Sequence, residues 1–471
     1  MVIKKTKQYL SECAAFTKEI FHSEFVSPIG IIILGITLLF MILTMCYSDI
    51  MVTIPGAMVF WDSAFDGKFA SFYSNGGGAY DIGLYVVFGI WGLPIWILQK
   101  LSILTYTDPG SVIYFKMLLV IFTVIVLKEV YAISELLGFE KKRCQLTVLM
   151  LATSLMFILP IFDVCQYDVI PTAFILIGIR KWMLGENKPF ILMFAIAMIM
   201  KPFSILIFLA VLLVREKRIS LIAKGVVGCA LFTVICKVIY HFGADGGSST
   251  TNLLDWLYDR LVQATVPIGR TEAALSVVLL IVVYAVIYME GVKEDQITER
   301  KYMMFGVFGV MAIFTVIMGI NPYWITYAAP FIILALMMSP AYTYLGMLVA
   351  VLADCSLIYY MCISYDWVFG GTATFSYLLL KNQYEARIDD VRSVYEFLGV
   401  RWGLEKFNTT ISGIVLGCMI VIGMIAYRGL KAKDTEKAEF EYNAKTIKWY
   451  FIMRVCIVAL WSLLCLYLMI K

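Results

Sequence analysis

The sequence predicts an all-α polytopic membrane protein, and composition is the first reason. The 471 residues are 61% hydrophobic, only 15% are charged, and the mean hydropathy is +0.86. Soluble domains are about 45–50% apolar and about 25% charged. The formal net charge of +4 is small and scattered, so it gives no reason to expect a nucleic-acid partner.

The second reason is a series of apolar segments along the chain, each bounded by polar or basic residues. A helix needs about 20 apolar residues to cross a bilayer. Segments 189–200 and 202–214 are shorter than this. The fourteen segments lie at 27–47, 80–99, 112–137, 145–161, 169–181, 189–200, 202–214, 219–241, 272–290, 302–319, 323–339, 342–363, 407–427 and 448–470.

The third observation, the distribution of basic residues, decides which segments cross. Basic clusters lie near the N-terminus, at 141–143, 180–181, 215–218, 293–301 and 428–448. All of them fall inside only if segment 80–99 does not cross, as the positive-inside rule requires. We therefore expect about 13 transmembrane helices. Segment 80–99 contains Gly83, Gly89, Gly92 and Pro94, which favour a break, so we expect a juxtamembrane helical hairpin there.

This topology predicts three regions. Residues 1–26 form a cytoplasmic N-terminal tail without a signal peptide, so the first span is expected to remain as an anchor. Residues 27–340 form a membrane module with a first outer loop at 49–111. Residues 341–471 form a C-terminal transmembrane module with an outer loop at 364–406. Acidic loops outside and short basic turns inside favour chemistry on the outer face, in the plasma membrane.

Acidic residues of the first outer loop are the first candidates for chemistry. Asp62 and Asp66 share one helix face, and paired carboxylates near a membrane are candidates for a general base. Two solvated loop acids would give the same pattern. Asp49 ends the first span and could simply mark the interface.

A second group lies between later apolar segments. Gln166, Tyr167 and Asp168 form a short outer turn, where Asp168 either binds substrate or caps the next helix. Lys201 precedes Pro202 between two half-spans, and a lysine at bilayer depth costs roughly 2.5 kcal/mol or more. It either meets a lipid phosphate or snorkels to the interface.

Other residues are less specific. Loop 242–271 follows His241, has a glycine-rich first part and a more helical second part, and suggests a lid. Lys237, Asp354 and Arg454 are charges within predicted spans, and Asp354 needs a partner that the sequence does not identify. The eleven cysteines form no CxxC and suit small buried positions. Two histidines exclude a histidine-rich metal site.

The order of these features over residues 27–340 resembles the GT-C superfamily of membrane glycosyltransferases. Gln166-Tyr167-Asp168 is similar to the Gly-Gln-x-Asp pattern of the branch related to GPI mannosyltransferases, with Cys165 in place of glycine. The run from Met198 to Phe203 resembles that branch's apolar-Lys-Pro element. Residues 321–324 with Pro330 are similar to its late His-Glu-Arg-Tyr element, but the His, Glu and Arg are missing. Residues 80–83 stand where the family has Tyr-Pro-Pro.

The resemblance implies an inverting hexosyltransferase that moves a sugar from a polyprenyl-phosphate donor to an acceptor of a cell-envelope glycan. A first-loop aspartate would be the catalytic base, with Asp62 as our match and Asp66 and Asp49 as alternatives. Lys201 would neutralise the leaving phosphate. Substrate-binding candidates are Gln166, Tyr167, Asp168, Lys201 and His241.

The substrates and alternatives stay broad at this point. The acceptor is a glycan, lipid or protein, membrane lipids are partners, and a divalent cation is left open as a cofactor. Two alternatives remain: a polysaccharide polymerase or ligase that uses a diphosphate-linked glycan, and a lipid or polysaccharide flippase or transporter. Transporters often contain inverted repeats, and no repeat is obvious in this chain.

Overall fold

The computed structural model describes residues 2–78, 80–243, 258–290, 295–319, 321–364, 374–376, 394–431 and 442–470. Helices dominate this part of the chain. The first nine are α1 (Val2–Phe21), α2 (Pro28–Thr44), α3 (Ser48–Phe65), α4 (Ile82–Lys100), α5 (Pro109–Leu136), α6 (Lys141–Ala152), α7 (Leu155–Ile158), α8 (Val169–Met183) and α9 (Asn187–Met200). The others are α10 (Ser204–Arg215), α11 (Ile219–Gly243), α12 (Leu275–Met289), α13 (Gln296–Val316), α14 (Ile325–Leu336), α15 (Thr343–Ser364), α16 (Asn408–Lys431) and α17 (Ala444–Ile470).

Strands are short in the described residues. β1 (Met45–Tyr47) pairs antiparallel with β4 (Thr374–Ser376), and β2 (Thr265–Ile268) forms a hairpin with β3 (Thr271–Ala274). In loop 242–271, residues 258–261 are helical, as expected for its second part, whereas the hairpin after them was not expected. The β-branched residues of the hairpin favour extended backbone. Residues 244–257 of that loop lie outside the described residues.

The helices fit the all-α membrane class. Each of the fourteen predicted apolar segments overlaps a described helix. By length and composition, six described helices can cross a membrane, and a seventh span results if the pair Lys141–Ala152 and Leu155–Asp163, bent by 58°, counts as one. Five further apolar helices are shorter, with 10–17 residues.

The predicted hairpin within 80–99 is wrong, because α4 is one uninterrupted helix. Its glycines are contact points rather than breaks. A Cβ at Gly89 would lie 2.7 Å from the Phe60 ring, and one at Gly92 would lie 2.6 Å from the Phe115 ring. Glycine therefore allows α4 to pack closely against α3 and α5. α3 and α4 run side by side in the same direction, because their contacts advance along both helices together. Gly56 faces Tyr85, and further along both helices the Trp61 indole donates to the Gly89 carbonyl.

α9 and α10, the two half-spans on either side of Lys201, form a helical hairpin. The rings of Phe190 and Phe208 stack with centroids 5.0 Å apart, and the Arg215 guanidinium donates to the Trp182 carbonyl at 2.6 Å. The two helices are therefore antiparallel. Lys201 and Pro202 form the tip, at the opposite end of the bundle from Arg215.

Basic residues gather at the Arg215 end. Arg300 donates to the carbonyls of Leu136 and Met183, the last residues of α5 and α8, at 3.1 and 2.9 Å. Arg215 also forms an ion pair with Glu299 at 2.7 Å. One end of the bundle is thus closed by arginine contacts to helix ends. We call it the basic end.

The intramembrane charges Asp354 and Arg454 are partners of each other. The Arg454 guanidinium lies 2.6 Å from the Asp354 carboxylate, and both side chains are almost fully buried. Ser154 and the backbone N–H of Met156 also donate to Asp354, at 2.6 and 3.1 Å. This network joins α15 and α17 to the break between α6 and α7, and it supplies the hydrogen bonds that the broken helix lacks.

The N-terminal tail is a helix docked on α5. Lys128 of α5 pairs with Glu12 at 3.0 Å, and the Tyr131 hydroxyl donates to Glu19 at 2.7 Å. The Phe16 ring packs edge-on against Tyr131 with centroids 5.6 Å apart. α1 therefore lies against the bundle near its basic end.

Candidate functional site

The described structure brings polar side chains together where several helices begin or end. Asp49 lies in the first turn of α3, Asp81 precedes α4, Gln166 and Asp168 precede α8, and Lys201 lies between α9 and α10. We call these five residues the Lys201 cluster. It lies at the end of the bundle opposite the basic end.

The Lys201 side chain is buried and forms an ion pair instead of extending to solvent. Its ammonium lies 3.1 Å from an Asp168 oxygen, and the exposed fractions of the two side chains are 5% and 0%. Pro202 explains the local backbone, because a residue before proline avoids helical angles. Lys201 has φ −148° and ψ 105°, which ends α9. The snorkelling alternative is therefore not what the structure shows.

Asp168 occupies the N-cap position of α8 without capping it. No hydrogen bond runs from its carboxylate to the first turn of the helix. One of its oxygens, Oδ2, is buried and has no partner among the described residues. An unpaired buried carboxylate oxygen costs free energy. The Asp168 carboxylate therefore does not cap α8 and pairs with Lys201 instead, while its binding role stays a prediction.

Gln166 links Asp168 to Asp49. Its side-chain amide donates to the Asp49 carboxylate. The turn depends on Cys165, whose φ is +58°, in the left-handed region that favours glycine. The N–H of Gln166 closes the turn by donating to the Pro160 carbonyl at 2.8 Å. Cys165 thus adopts the backbone conformation expected of the glycine that it replaces in the resemblance.

Aromatic rings surround the Lys201 ammonium. The ring centroids of Tyr167 and Trp324 lie 4.6 and 4.7 Å from it, and those of Tyr80 and Phe203 lie 5.8 and 5.9 Å away. Such contacts stabilise a cation by about 0.5–2 kcal/mol each. Trp324 belongs to residues 321–324, the element in which the His, Glu and Arg of the resembled pattern are missing, and it contacts Lys201 through its ring.

Two buried hydroxyl groups near Lys201 lack partners. The Tyr167 and Tyr327 hydroxyls are buried, and neither has a hydrogen-bond partner among the described residues. Buried tyrosine hydroxyls are usually hydrogen-bonded. Together with the Asp168 oxygen, they are buried polar atoms that could form hydrogen bonds with a polar ligand.

Asp81 extends the cluster toward α11. Its carboxylate lies 3.2 Å from the Lys237 ammonium. Thr233, Tyr240 and this ion pair line a small pocket, in which the Thr233 and Tyr240 hydroxyls lack described partners. α11 is mostly exposed, and its other faces are apolar.

Burial shifts the proton affinity of the cluster's acids. It raises the pKa of Asp49, although hydrogen bonds from Tyr80 and Gln166 and the charge of Lys201 oppose this. Burial also raises the pKa of Asp168 against the attraction of Lys201, and Asp49 adds to the increase. The pKa of Asp81 is raised by burial too, with Lys237 opposing. Acids with raised pKa in an enclosed site are candidates for proton transfer.

The other predicted site residues lie elsewhere. Asp62 accepts from the Trp96 indole and pairs with Lys100 at 2.8 Å, and its side chain is 44% exposed. It lies thirteen residues beyond Asp49 on α3, which is roughly 20 Å at 1.5 Å per residue. Asp66 is exposed next to it. The structure therefore brings Asp49 into the Lys201 cluster and leaves Asp62 and Asp66 outside. The His241 side chain lies outside the described residues.

Sequence reasoning missed Asp81, Lys237, Trp324 and Tyr327 as members of this site. Spacing gave no signal, because Asp81 precedes α4, Lys237 lies on α11, and Trp324 and Tyr327 lie at the start of α14, far apart in the chain. Among the described residues, no group of three or more His, Cys, Asp or Glu side chains is arranged to hold a metal ion.

Comparison of the chain with protein-family models, with characterised proteins and with solved structures finds no match.

Proposed function

We propose that this protein is an inverting glycosyltransferase that moves a sugar from a polyprenyl-phosphate donor to an acceptor hydroxyl. One observation carries the proposal: a partly buried acid with a raised pKa, Asp49, and a buried lysine, Lys201, belong to one cluster, and the charge of Lys201 acts on the Asp49 carboxylate. The reaction needs an acid residue to take the acceptor's proton and a cation to meet the leaving phosphate.

Asp49 is the proposed general base. Its carboxylate takes the proton of the acceptor hydroxyl while that oxygen forms a bond to the anomeric carbon of the sugar. The bond between this carbon and the donor phosphate breaks, and the electron pair leaves with the lipid phosphate. Gln166 holds the Asp49 carboxylate by a hydrogen bond. Asp49 replaces Asp62 in our proposal, because Asp62 lies far along α3 and pairs with Lys100.

Lys201 is the proposed partner of the phosphate. Its ammonium pairs with Asp168 in this structure. A donor phosphate would bind the same Lys201 ammonium beside Asp168. As the bond between sugar and phosphate breaks, negative charge builds up on the leaving oxygen and strengthens its attraction to Lys201. The free Asp168 oxygen and the Tyr167 and Tyr327 hydroxyls then provide hydrogen-bond partners for sugar or acceptor hydroxyls.

The orientation of the site follows from charge. The basic end of the bundle fits the cytoplasmic side under the positive-inside rule. The Lys201 cluster then lies at the outer face of the plasma membrane, and the thirteen-span topology follows from the same rule. Labelling from outside at an engineered cysteine replacing Lys142, at the basic end, would overturn this orientation.

A second candidate is a polymerase or ligase that uses a diphosphate-linked glycan. The observation in its favour is a second cation, Lys237, which forms an ion pair with Asp81. The charge of Lys201 also acts on the Asp81 carboxylate. Two lysines suit two phosphates better than one. A purified sample that consumes only the diphosphate-linked donor would select this candidate.

The test uses purified protein in lipid vesicles with a radiolabelled polyprenyl-phosphate sugar and a panel of acceptors. The proposal expects labelled, water-soluble or lipid-linked product that requires Asp49. A flippase or transporter would instead move a fluorescent donor between leaflets without breaking its glycosidic bond. Movement without product would therefore contradict the proposed transfer.

A further inference from the structure

An apolar cavity lies under the N-terminal helix, far from the Lys201 cluster. Its volume is about 300 Å³, and it is walled by α1, α2, α5 and α6. Phe16 and Ile20 of α1 cover one side, Leu34 and Gly35 of α2 another, and Leu149 of α6 a third. The cavity is not closed, because Gly35 on its wall is exposed and the cavity opens at the surface of the bundle. An apolar cavity does not hold water well, so a hydrocarbon chain is the fitting occupant.

A polar pocket adjoins the same helices. It is lined by Lys18, Glu19 and His22 of α1, by Glu24, and by Lys141 and Lys142 at the start of α6. Lys141 pairs with Glu19 at 3.1 Å, and Lys142 pairs with Glu24 at 2.7 Å. Among the described residues, Lys18 makes no ion pair. The lining itself holds three lysines and two glutamates, and from outside it Glu135 interacts with Lys141 and Glu140 with Lys142.

The pocket and the cavity lie along the same face of α6. Residues 141, 142 and 145 line the polar pocket, and residues 148, 149 and 152 line the apolar cavity. These positions recur at three- and four-residue intervals, so they share one face of the helix. The polar part lies at the basic end, and the apolar part extends into the bundle. The combined shape is that of an amphiphile with one charged head.

We infer that α1, α2 and α6 form a binding site for one anionic phospholipid, with an acyl chain in the cavity and the phosphate at Lys18, Lys141 and Lys142. Clusters of lysines beside a membrane helix attract anionic lipids. The phosphate would compete with Glu19 and Glu24 for the two paired lysines and meet Lys18 directly. The lipid would also stabilise α1 on α5.

The test compares two lipids that differ only in head group. Protein purified in a neutral detergent receives phosphatidylglycerol or phosphatidylcholine with identical chains, and thermal unfolding is followed by tryptophan fluorescence. We expect phosphatidylglycerol to raise the unfolding temperature clearly more than phosphatidylcholine. Native mass spectrometry should retain one phosphatidylglycerol on the protein. Equal shifts for both lipids would overturn the inference.

Two variants separate the chain site from the head-group site. A Cβ at Gly35 meets nothing within 4 Å, so Gly35→Leu projects into the cavity without a clash. We expect this variant to fold and to lose most of the phosphatidylglycerol shift. The double variant Lys141→Gln and Lys142→Gln should keep lipid binding but weaken the preference for phosphatidylglycerol about tenfold or more.

Gly413→Leu is the matched control. Gly413 lies on α16, away from this cavity, and a Cβ there also meets nothing within 4 Å. It makes the same substitution at another exposed helical glycine, so it should retain the full lipid shift. If Gly35→Leu and Gly413→Leu respond alike to phosphatidylglycerol, the cavity does not hold the chain. Lipid binding is measured here without any glycosyl transfer. The result therefore does not depend on whether the proposed function is correct.

Discussion

At the scale of single residues, Asp49 carries the proposed chemistry. Asp49→Asn keeps the shape of the side chain but cannot accept the proton, so we expect the transfer rate to fall by about 100-fold or more. Asp62→Asn is the control, since Asp62 is half exposed and paired with Lys100. We expect it to retain most of the activity. Initial rates with a labelled donor measure both. An inactive Asp62 variant beside an active Asp49 variant would reverse the assignment.

The acid limb of the pH profile reports the same residue. Burial raises the pKa of Asp49, so its carboxylate takes up a proton at a higher pH than a solvated aspartate does. The protonated form cannot act as a base. Activity should therefore fall, as pH is lowered, at a pH above about 3.9, the ordinary value for aspartate. A profile of kcat/KM against pH measures this limb, and an acid limb at or below the ordinary value would argue against Asp49.

Cys165 tests the turn that presents Gln166 and Asp168. Its φ of +58° suits glycine and costs about 1–2 kcal/mol for a side-chain residue. We expect Cys165→Gly to retain activity and stability within about 1 kcal/mol, because relief of strain offsets lost packing. Cys165→Val is the matched comparison and should be clearly less stable, since a branched side chain fits this backbone poorly. The unfolding temperatures of Cys165→Gly and Cys165→Val measure this difference in stability. Equal temperatures would show that the turn is not strained.

At the scale of helices, the close contact of α4 and α9 positions Lys201. A Cβ at Gly83 would lie 2.2 Å from the Ile199 side chain and 2.9 Å from its backbone. Gly83→Val should therefore push the end of α9 away from α4 and displace Lys201, which is two residues beyond Ile199. We expect a large loss of transfer rate in a protein that still folds. Gly413→Val, in open space on α16, should leave the rate unchanged.

Much of this helical architecture follows from sequence, but the glycines of α4 show a limit. Apolar length locates the helices, and Pro202 locates the break at Lys201. The same reasoning treats Gly83, Gly89 and Gly92 as breaks, whereas each is a point of close packing between helices. A glycine in a membrane helix can mark a break in the helix or a point of close contact with another helix. Only the position of the neighbouring helix distinguishes the two.

At the scale of the whole molecule, the Asp354–Arg454 pair of the C-terminal region is linked to region 27–340, because Ser154 and the Met156 N–H donate to Asp354 and Arg454 donates to Thr153. Asp354→Asn leaves the Arg454 guanidinium buried without its counter-charge, which typically costs about 3–5 kcal/mol. Combining Asp354→Leu with Arg454→Met removes both charges and should cost less than either single change. Unfolding in a denaturant series measures these free energies. A double variant less stable than both single variants would show that the pair is not the source of the stability.

Long-range partners such as these could not be predicted from sequence. Asp354 and Arg454 lie one hundred residues apart, and Trp324 reaches Lys201 from a different helix. Asp168 and Lys201 were recognised as unusual residues, but their pairing required the fold. Asp62 matches the expected base in sequence because it follows Trp61 and precedes the stretch predicted to lie along the membrane. Helix α3 holds both Asp49 and Asp62 but carries Asp62 away from the cluster.

One measurement tests the central claim most directly: transfer of a labelled sugar from a polyprenyl-phosphate donor by the purified protein and by Lys201→Gln, in the same vesicles. Lys201→Gln removes the charge but keeps a hydrogen-bonding side chain of similar length. The account predicts product from the wild-type protein and a rate lower by about 100-fold or more in the variant, as expected when a charge in a buried site is lost. Equal product from both proteins, or none from the wild type with any polyprenyl-linked donor, would contradict it.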